Sequence, residues 1–282
     1  MPHTTLVSTG ALAARLSDPG WIVFDCRHDL AEPAAGERAY RESHIPGARF
    51  LHLDRDLAGP VTGNNGRHPL PDPGVLAEKL GRFGLRAQSQ IVAYDAQGGM
   101  YAARAWWLLR WLGHSSVAVL DGGWQRWLSE QRAVSREIPA TMPGSFEPSL
   151  GDAHLDAESL LGHGGAFTLV DARAPDRFRG ENETLDPVGG RIPGAVNRFF
   201  RENLGAAGGF KPADQLRREW REVLGGAAPS AAVHYCGSGV SACHNLLAME
   251  IAGLAGSRLY PGSWSEWCSD PARPVERGEP RT

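Results

Sequence analysis

The sequence is written twice, and this constrains its fold more than any single motif. The run WIVFDCR at 21–27 returns as FTLVDAR at 167–173, each an apolar stretch ending in Asp, with Arg two positions on. HIPGARF at 44–50 returns as RIPGAVN at 191–197, IVAYD at 91–95 as AVHYC at 232–236, and LDGGWQRW at 120–127 as YPGSWSEW at 260–267. The separations stay between 140 and 147 residues and the order never changes. Self-similarity at a nearly fixed period marks repeated structural units, and a chain of 282 residues has room for two domains. The two copies are expected over residues 1–135 and 155–282. Between them, REIPATMPGSFEPSLGDAH at 136–154 is rich in Pro, Gly and Ser and lacks helical periodicity, so it is expected to be a linker.

Within each copy, short apolar runs alternate with amphipathic stretches. ARAWWLLRWLGH (103–114) and ACHNLLAMEIAGL (242–254) have helical spacing and end near Gly. SVAVLDGG and SRLYPGS have the pattern of a strand followed by a turn. Strands alternating with helices predict an α/β domain with a mostly parallel sheet flanked by helices. Ligands of such sheets sit at the carboxyl ends of the strands. The tryptophans of AWWLLRW and GGWQRW fall at helical spacing and are expected to pack the interior rather than bind a ligand.

Composition narrows the class. Apolar residues make up 42% and charged residues 22%, with a net charge of −3, values ordinary for a folded enzyme. There is no basic footprint for nucleic acid or a membrane surface, and no run of about 18 apolar residues to span a bilayer. The N-terminal MPHTTLVSTGALAARL has no basic segment ahead of a long apolar core, so no secretory signal is expected. Four cysteines, Cys26, Cys236, Cys243 and Cys268, are too few and scattered for a disulfide framework, and no Cys/His set has zinc-ligand spacing. The expectation is a reducing, cytoplasmic setting without a metal.

One cysteine stands apart. In VHYCGSGVSACHN (233–245), Cys236 follows an apolar strand and precedes a helix, with Gly237 and Gly239 between. A loop feeding a helix directs unpaired backbone N–H groups at one point and favours an anion there, and glycine permits the tight curvature. The thiolate is the nucleophilic form of cysteine. The loop can therefore hold a sulfur anion without a charged side chain. The bland reading is a buried cysteine at a strand end. The matching position in the first copy is Asp95, so one copy carries the thiol and the other does not. Cys26 and Cys243 are expected to be packing residues; Cys268, near the C-terminus, is expected to be an exposed or redox-sensitive thiol.

The tandem HIPGA and RIPGA segments, LDGGWQRW, GSWSEW and the single cysteine loop resemble the rhodanese-type sulfurtransferases over nearly the whole chain. The resemblance implies two tandem rhodanese-like domains, the second catalytic. The loop CGSGVS is similar to the Cys-Gly-Ser/Ala-Gly-Val-Thr loop of the 3-mercaptopyruvate sulfurtransferases. Thiosulfate-using relatives tend to carry basic residues where this chain has Gly237 and Ser238. The resemblance implies that Cys236 takes sulfur from mercaptopyruvate as a persulfide, held by Gly237, Gly239, Val240 and Ser241. The sulfur then passes to a thiol, such as reduced thioredoxin, or to cyanide, with no organic cofactor. It implies a proton relay of Ser238, His68 and Asp54, and Arg177 of DRFRGE as the binder of the substrate carboxylate. Two departures stand out. A second arginine of the animal enzymes is here Asp186, and the usual His of HIPG is Arg191 in the second copy, which could restore the lost charge.

Three other readings compete. A thiosulfate sulfurtransferase is favoured by the lost arginine and disfavoured by the neutral loop. A cysteine phosphatase of the same domain fold would need an Arg closing the loop, where Ala242 and Cys243 stand. A sulfur-carrying binding protein would also keep Cys236 but would discharge slowly to small thiols.

Overall fold

A computed structural model describes residues 1–162 and 165–279. The chain divides into two compact units: Met1–Gly59, Pro71–Asp152 and Ala206–Gly209 in the first; Pro60–Leu70, Ala153–Gly205 and Phe210–Thr282 in the second. Among the described residues, no helix is long and apolar enough to cross a membrane.

The first unit runs β1 (Leu6–Val7), α1 (Thr9–Ala13), β2 (Trp21–Asp25), α2 (Ala35–Glu42), β3 (Arg49–Phe50), α3 (Leu53–Asp56), α4 (Pro73–Arg82), β4 (Gln90–Tyr94), α5 (Met100–Trp111), β5 (Val117–Leu120) and α6 (Gly123–Ser129). Its sheet has the order β1-β5-β4-β2-β3, and every pair is parallel. The second unit runs α7 (Ala157–Leu161), β6 (Thr168–Asp171), α8 (Pro175–Arg179), β7 (Val196–Asn197), a 3-10 turn (Phe200–Asn203), α9 (Ala213–Leu224), β8 (Ala232–Tyr235), α10 (Ala242–Ile251), β9 (Arg258–Leu259) and α11 (Ser263–Trp267). Its parallel sheet has the order β7-β6-β8-β9. A single parallel bridge from His154 to Leu259 extends it past β9, where the first unit has β1. Two α/β units with parallel sheets are what the repeat predicts.

The repeated motifs recur because each unit gathers them at one buried node. In the first unit, Arg27 binds both oxygens of Asp25, with Nη2 at 2.6 Å, and donates to the Ser43 carbonyl at 2.7 Å, just before HIPG. Its guanidinium lies 4.6 Å over the Trp124 ring of GGW. The Tyr94 hydroxyl, from IVAYD, donates to Asp25 at 2.6 Å and accepts the Ile45 N–H. The second unit repeats the arrangement. Arg173 pairs with Asp171 at 2.6 Å, donates to the Gly190 carbonyl at 2.7 Å and lies 4.8 Å over Trp264, while Tyr235 accepts the Ile192 N–H. A buried pair of this kind ties strand, loop and helix into one register, and removing one partner typically costs about 3–5 kcal/mol.

Around the node the cores are apolar. Trp106, Trp127, Trp220, Trp264 and Trp267 are fully buried, as expected of packing residues. Helices α5 and α10 are buried on nearly every face, so they are not the amphipathic helices their spacing suggested: each is enclosed by the core on all sides. The 136–154 stretch differs from a free linker. Gly144 donates to the Gly81 carbonyl at 2.8 Å and Ser149 to the Leu112 carbonyl at 2.8 Å, while Phe146 meets His114 edge-on. It straps the first unit up to Asp152, because those backbone groups find partners there.

Candidate active site

The cysteine loop leaves the carboxyl end of β8 and enters α10. Its backbone is gripped by the start of α11: the Cys236 N–H donates to Ser263 Oγ at 3.1 Å, the Cys236 carbonyl accepts from Trp264 N–H at 3.0 Å, and the Gly237 carbonyl accepts from Ser265 N–H at 2.9 Å. Ser263 holds a left-handed φ of 55°, which its hydroxyl stabilises by donating to the Tyr260 carbonyl at 2.9 Å. Gly239 has φ 75°, and a Cβ there would stand 2.3 Å from the Pro261 carbonyl oxygen. Gly239→Ala is therefore expected to destabilise the second unit by about 3 kcal/mol, from left-handed strain plus the clash. A urea titration followed by tryptophan fluorescence checks this; an unchanged midpoint would remove the steric account of the loop.

The first unit shows what such a loop does with an anion. Asp95 occupies the matching position, Gly98 repeats the φ of 75°, and Trp124 N–H binds the Asp95 carbonyl at 2.9 Å as Trp264 N–H binds that of Cys236. The Asp95 carboxylate accepts four backbone N–H bonds, from Gln97 and Gly99 at 2.8 Å each, Tyr101 at 2.7 Å and Ala102 at 2.9 Å. Burial pushes its pKa up, and those four donors offset this only in part. The same loop path around Cys236 can direct Ser238, Val240 and helix-start N–H groups at a sulfur anion. Val240 is buried with the loop, and Ser241 is the N-cap residue of α10.

The segment 60–70 belongs to the second unit and brings two side chains to this loop. His68 Nδ1 lies 2.7 Å from Ser238 Oγ, and both residues are buried. Just before it, Arg67 N–H donates to Ser265 Oγ at 3.1 Å. A Cβ on Gly237 would lie 2.8 Å from Arg67 Nη2 and 3.6 Å from each terminal nitrogen of Arg177. Two guanidinium groups thus stand close over the residue after the cysteine. Arg177, from α8, donates to Glu183 at 2.8 Å and to Asp186 at 3.4 Å; Arg67 pairs closely with Asp186. Burial raises the Glu183 pKa, but the Leu185 N–H and Arg177 outweigh it and hold the carboxyl low. Asp186 goes the other way: burial lifts its pKa, and Arg67 and Arg177 offset this only in part.

The remaining sequence candidates are placed as follows. Asp54 lies in the first unit at the start of α3, its carboxylate 3.8 Å from His52 Nδ1. With His28 and His52 it forms the one group of metal-type ligands found among the described residues, within 4.8 Å of one another. The position of His52 is explained by capping, since its Nδ1 accepts the N–H groups of Asp54 and Arg55. Arg191 is buried and already paired: it donates to the Glu276 carboxylate at 2.7 Å and the Gly278 carbonyl at 2.6 Å, and lies 4.6 Å over Phe178. Those partners account for its charge by anchoring residues 276–278. Cys268 is buried at the end of α11, and burial, then Asp186, pushes its pKa up, so the exposed option for this thiol falls away. Cys26 and Cys243 are core residues. The residue that sequence reasoning missed is Arg67. Its signal was only its adjacency to His68 in GRHPLP.

Fold and site together define a class. Residues 8–130 and 154–270 each match the rhodanese-like domain, and the chain belongs to the rhodanese family. Among its relatives, a Pseudomonas aeruginosa protein named "Probable 3-mercaptopyruvate sulfurtransferase" is 50% identical, covering 99% of this chain and 100% of that one. The thiosulfate sulfurtransferase of Gallus gallus is 33% identical, covering 88% of this chain and 86% of its own. SseA from Escherichia coli, a 3-mercaptopyruvate sulfotransferase of known structure, aligns with a TM-score of 0.81 at 28% identity, over 94% of this chain and all of that one.

Proposed function

We propose that this rhodanese-family sulfurtransferase takes its sulfur from 3-mercaptopyruvate. The observation that carries the reading is the 2.7 Å contact between His68 Nδ1 and Ser238 Oγ, two residues beyond Cys236. Mercaptopyruvate requires proton transfer, and thiosulfate does not. In the first step the Cys236 thiolate attacks the donor sulfur. An S–S bond forms and the C–S bond breaks, its electron pair staying on carbon as pyruvate enolate. The donor's thiol proton passes through Ser238 to His68 and returns to the enolate carbon, releasing pyruvate. In the second step an acceptor thiolate or cyanide attacks the outer sulfur and the Cys236 thiolate leaves. Loop N–H groups hold the persulfide, and Arg177 binds the donor carboxylate. Thioredoxin-like dithiols are the acceptor class in this reading, and a reducing cytoplasm the compartment.

The test is kcat/KM for mercaptopyruvate and for thiosulfate with one common acceptor. The expected result is a preference for mercaptopyruvate of about 100-fold, the worth of a proton-transfer pair that only one donor uses. Intact mass should show one added sulfur on the protein after donor alone. The second reading, thiosulfate as donor, is favoured by one specific feature: Arg67 and Arg177 stand together over Gly237, as a dianion would require. A preference for thiosulfate would replace the first reading with it.

A further inference from the structure

Asp186 puts an acid beside the cysteine loop, yet the loop is faced by two arginines. One tripeptide explains the second. Gly66 is pressed against α11, where a Cβ would meet the Gly262 carbonyl oxygen at 2.7 Å. Arg67 follows, its N–H fixed by Ser265 and its guanidinium over Gly237. His68 completes the tripeptide with its contact to Ser238. A single rigid turn therefore delivers a cation and a proton-transfer group to the same two loop residues. Asp186, 4% exposed, pairs with both guanidiniums. Glu183 pairs with Arg177 and, at 3.4 Å, with Arg173, whose other partner is Asp171, so three arginines and three acids make up the group.

We propose that Arg67 is a specificity-determining residue that shares the donor's anionic group with Arg177, while Asp186 tunes the pair so that a monoanionic carboxylate is accepted and a dianion is disfavoured. This rests on the donor reading above. The physical basis is charge balance in a partly buried site. A carboxylate displaces one Asp186 contact and finds a guanidinium fork, which suits it in geometry. A dianion must compete with the Asp186 carboxylate for the same two guanidiniums, and partial burial keeps the repulsion between the anions from being screened.

Two readouts test the proposal. The first is donor selectivity. Asp186→Asn keeps the shape and removes the charge. It should raise kcat/KM for thiosulfate about tenfold more than for mercaptopyruvate. Arg67→Met should raise KM for mercaptopyruvate about 10- to 100-fold with a smaller change in kcat, and Arg67→Lys should recover part of it. The second readout needs no sulfur donor: the rate of alkylation of Cys236 by anionic iodoacetate relative to neutral iodoacetamide, followed by peptide mass spectrometry. That ratio should fall about tenfold in Arg67→Met and rise in Asp186→Asn. Iodoacetamide also reports whether the loop is still formed, and the double variant Arg67→Met/Asp186→Asn keeps the test valid if Arg67→Met alone unfolds. A ratio that ignores both changes overturns the role of Arg67. A ratio that responds without any change in donor selectivity overturns the role of Asp186. A wild type that prefers thiosulfate would refute the donor reading and with it the exclusion of dianions by Asp186, while the alkylation ratio would still decide the role of Arg67.

Discussion

Cys236→Ser is expected to lower sulfur transfer from either donor by about 10⁴-fold or more, the usual scale for losing a catalytic nucleophile. A serine hydroxyl fits the space of the thiol, keeps the N–H donor to Ser263 and the carbonyl contact to Trp264, and leaves the loop intact. It cannot form the S–S bond on which both half-reactions depend. The check is steady-state turnover with mercaptopyruvate and with thiosulfate, alongside intact mass after donor alone. No sulfur should add to the variant, and its melting temperature should match wild type within about 2 °C. Transfer within tenfold of wild type would mean that sulfur travels through another residue. The structure offers little for that, because Cys26 and Cys268 are buried thiols whose pKa values are pushed up, chiefly by burial.

The second large effect separates the donors. His68→Asn and Ser238→Ala should each reduce kcat with mercaptopyruvate about 10²- to 10³-fold, the range of a general acid–base group. With thiosulfate the same variants should stay within about threefold, since no proton moves in that first step. The double variant should be little worse than either single one, because the two residues act as a unit across one hydrogen bond. Rates with both donors at one acceptor concentration decide the matter. Equal losses with both donors would turn the pair into loop scaffolding and remove the main support for mercaptopyruvate.

Much of this was legible in the sequence, for reasons that particular residues make plain. The repeat was readable because Asp25, Arg27, Tyr94 and Trp124 meet at one node, and Asp171, Arg173, Tyr235 and Trp264 meet at another. Each motif persists because its partners do. Cys236 and the strand–loop–helix around it were equally readable, since local spacing carries that information. What was not readable is long-range. Nothing in GRHPLP says that residues 60–70 group with residues two hundred positions away, nor that Arg67 will stand over Gly237. Arg191 looked like a replacement cation because its position in the motif was visible while its partners, Glu276 and Gly278, lay far along the chain. The 136–154 stretch looked like a linker because its Pro and Gly content was visible and the carbonyls that receive it were not.

Asp95 has a consequence for how the two copies age. A carboxylate cannot be oxidised further, alkylated by ordinary electrophiles or trapped as a mixed disulfide, and this one is sealed by four backbone donors. At this position the first copy therefore offers nothing for oxidation to reach. Of the two matching loops, only the one at Cys236 offers peroxide or an electrophile a sulfur, and that residue is itself buried. Vulnerability and activity are confined to the same few atoms, and the other copy ages like any inert α/β domain.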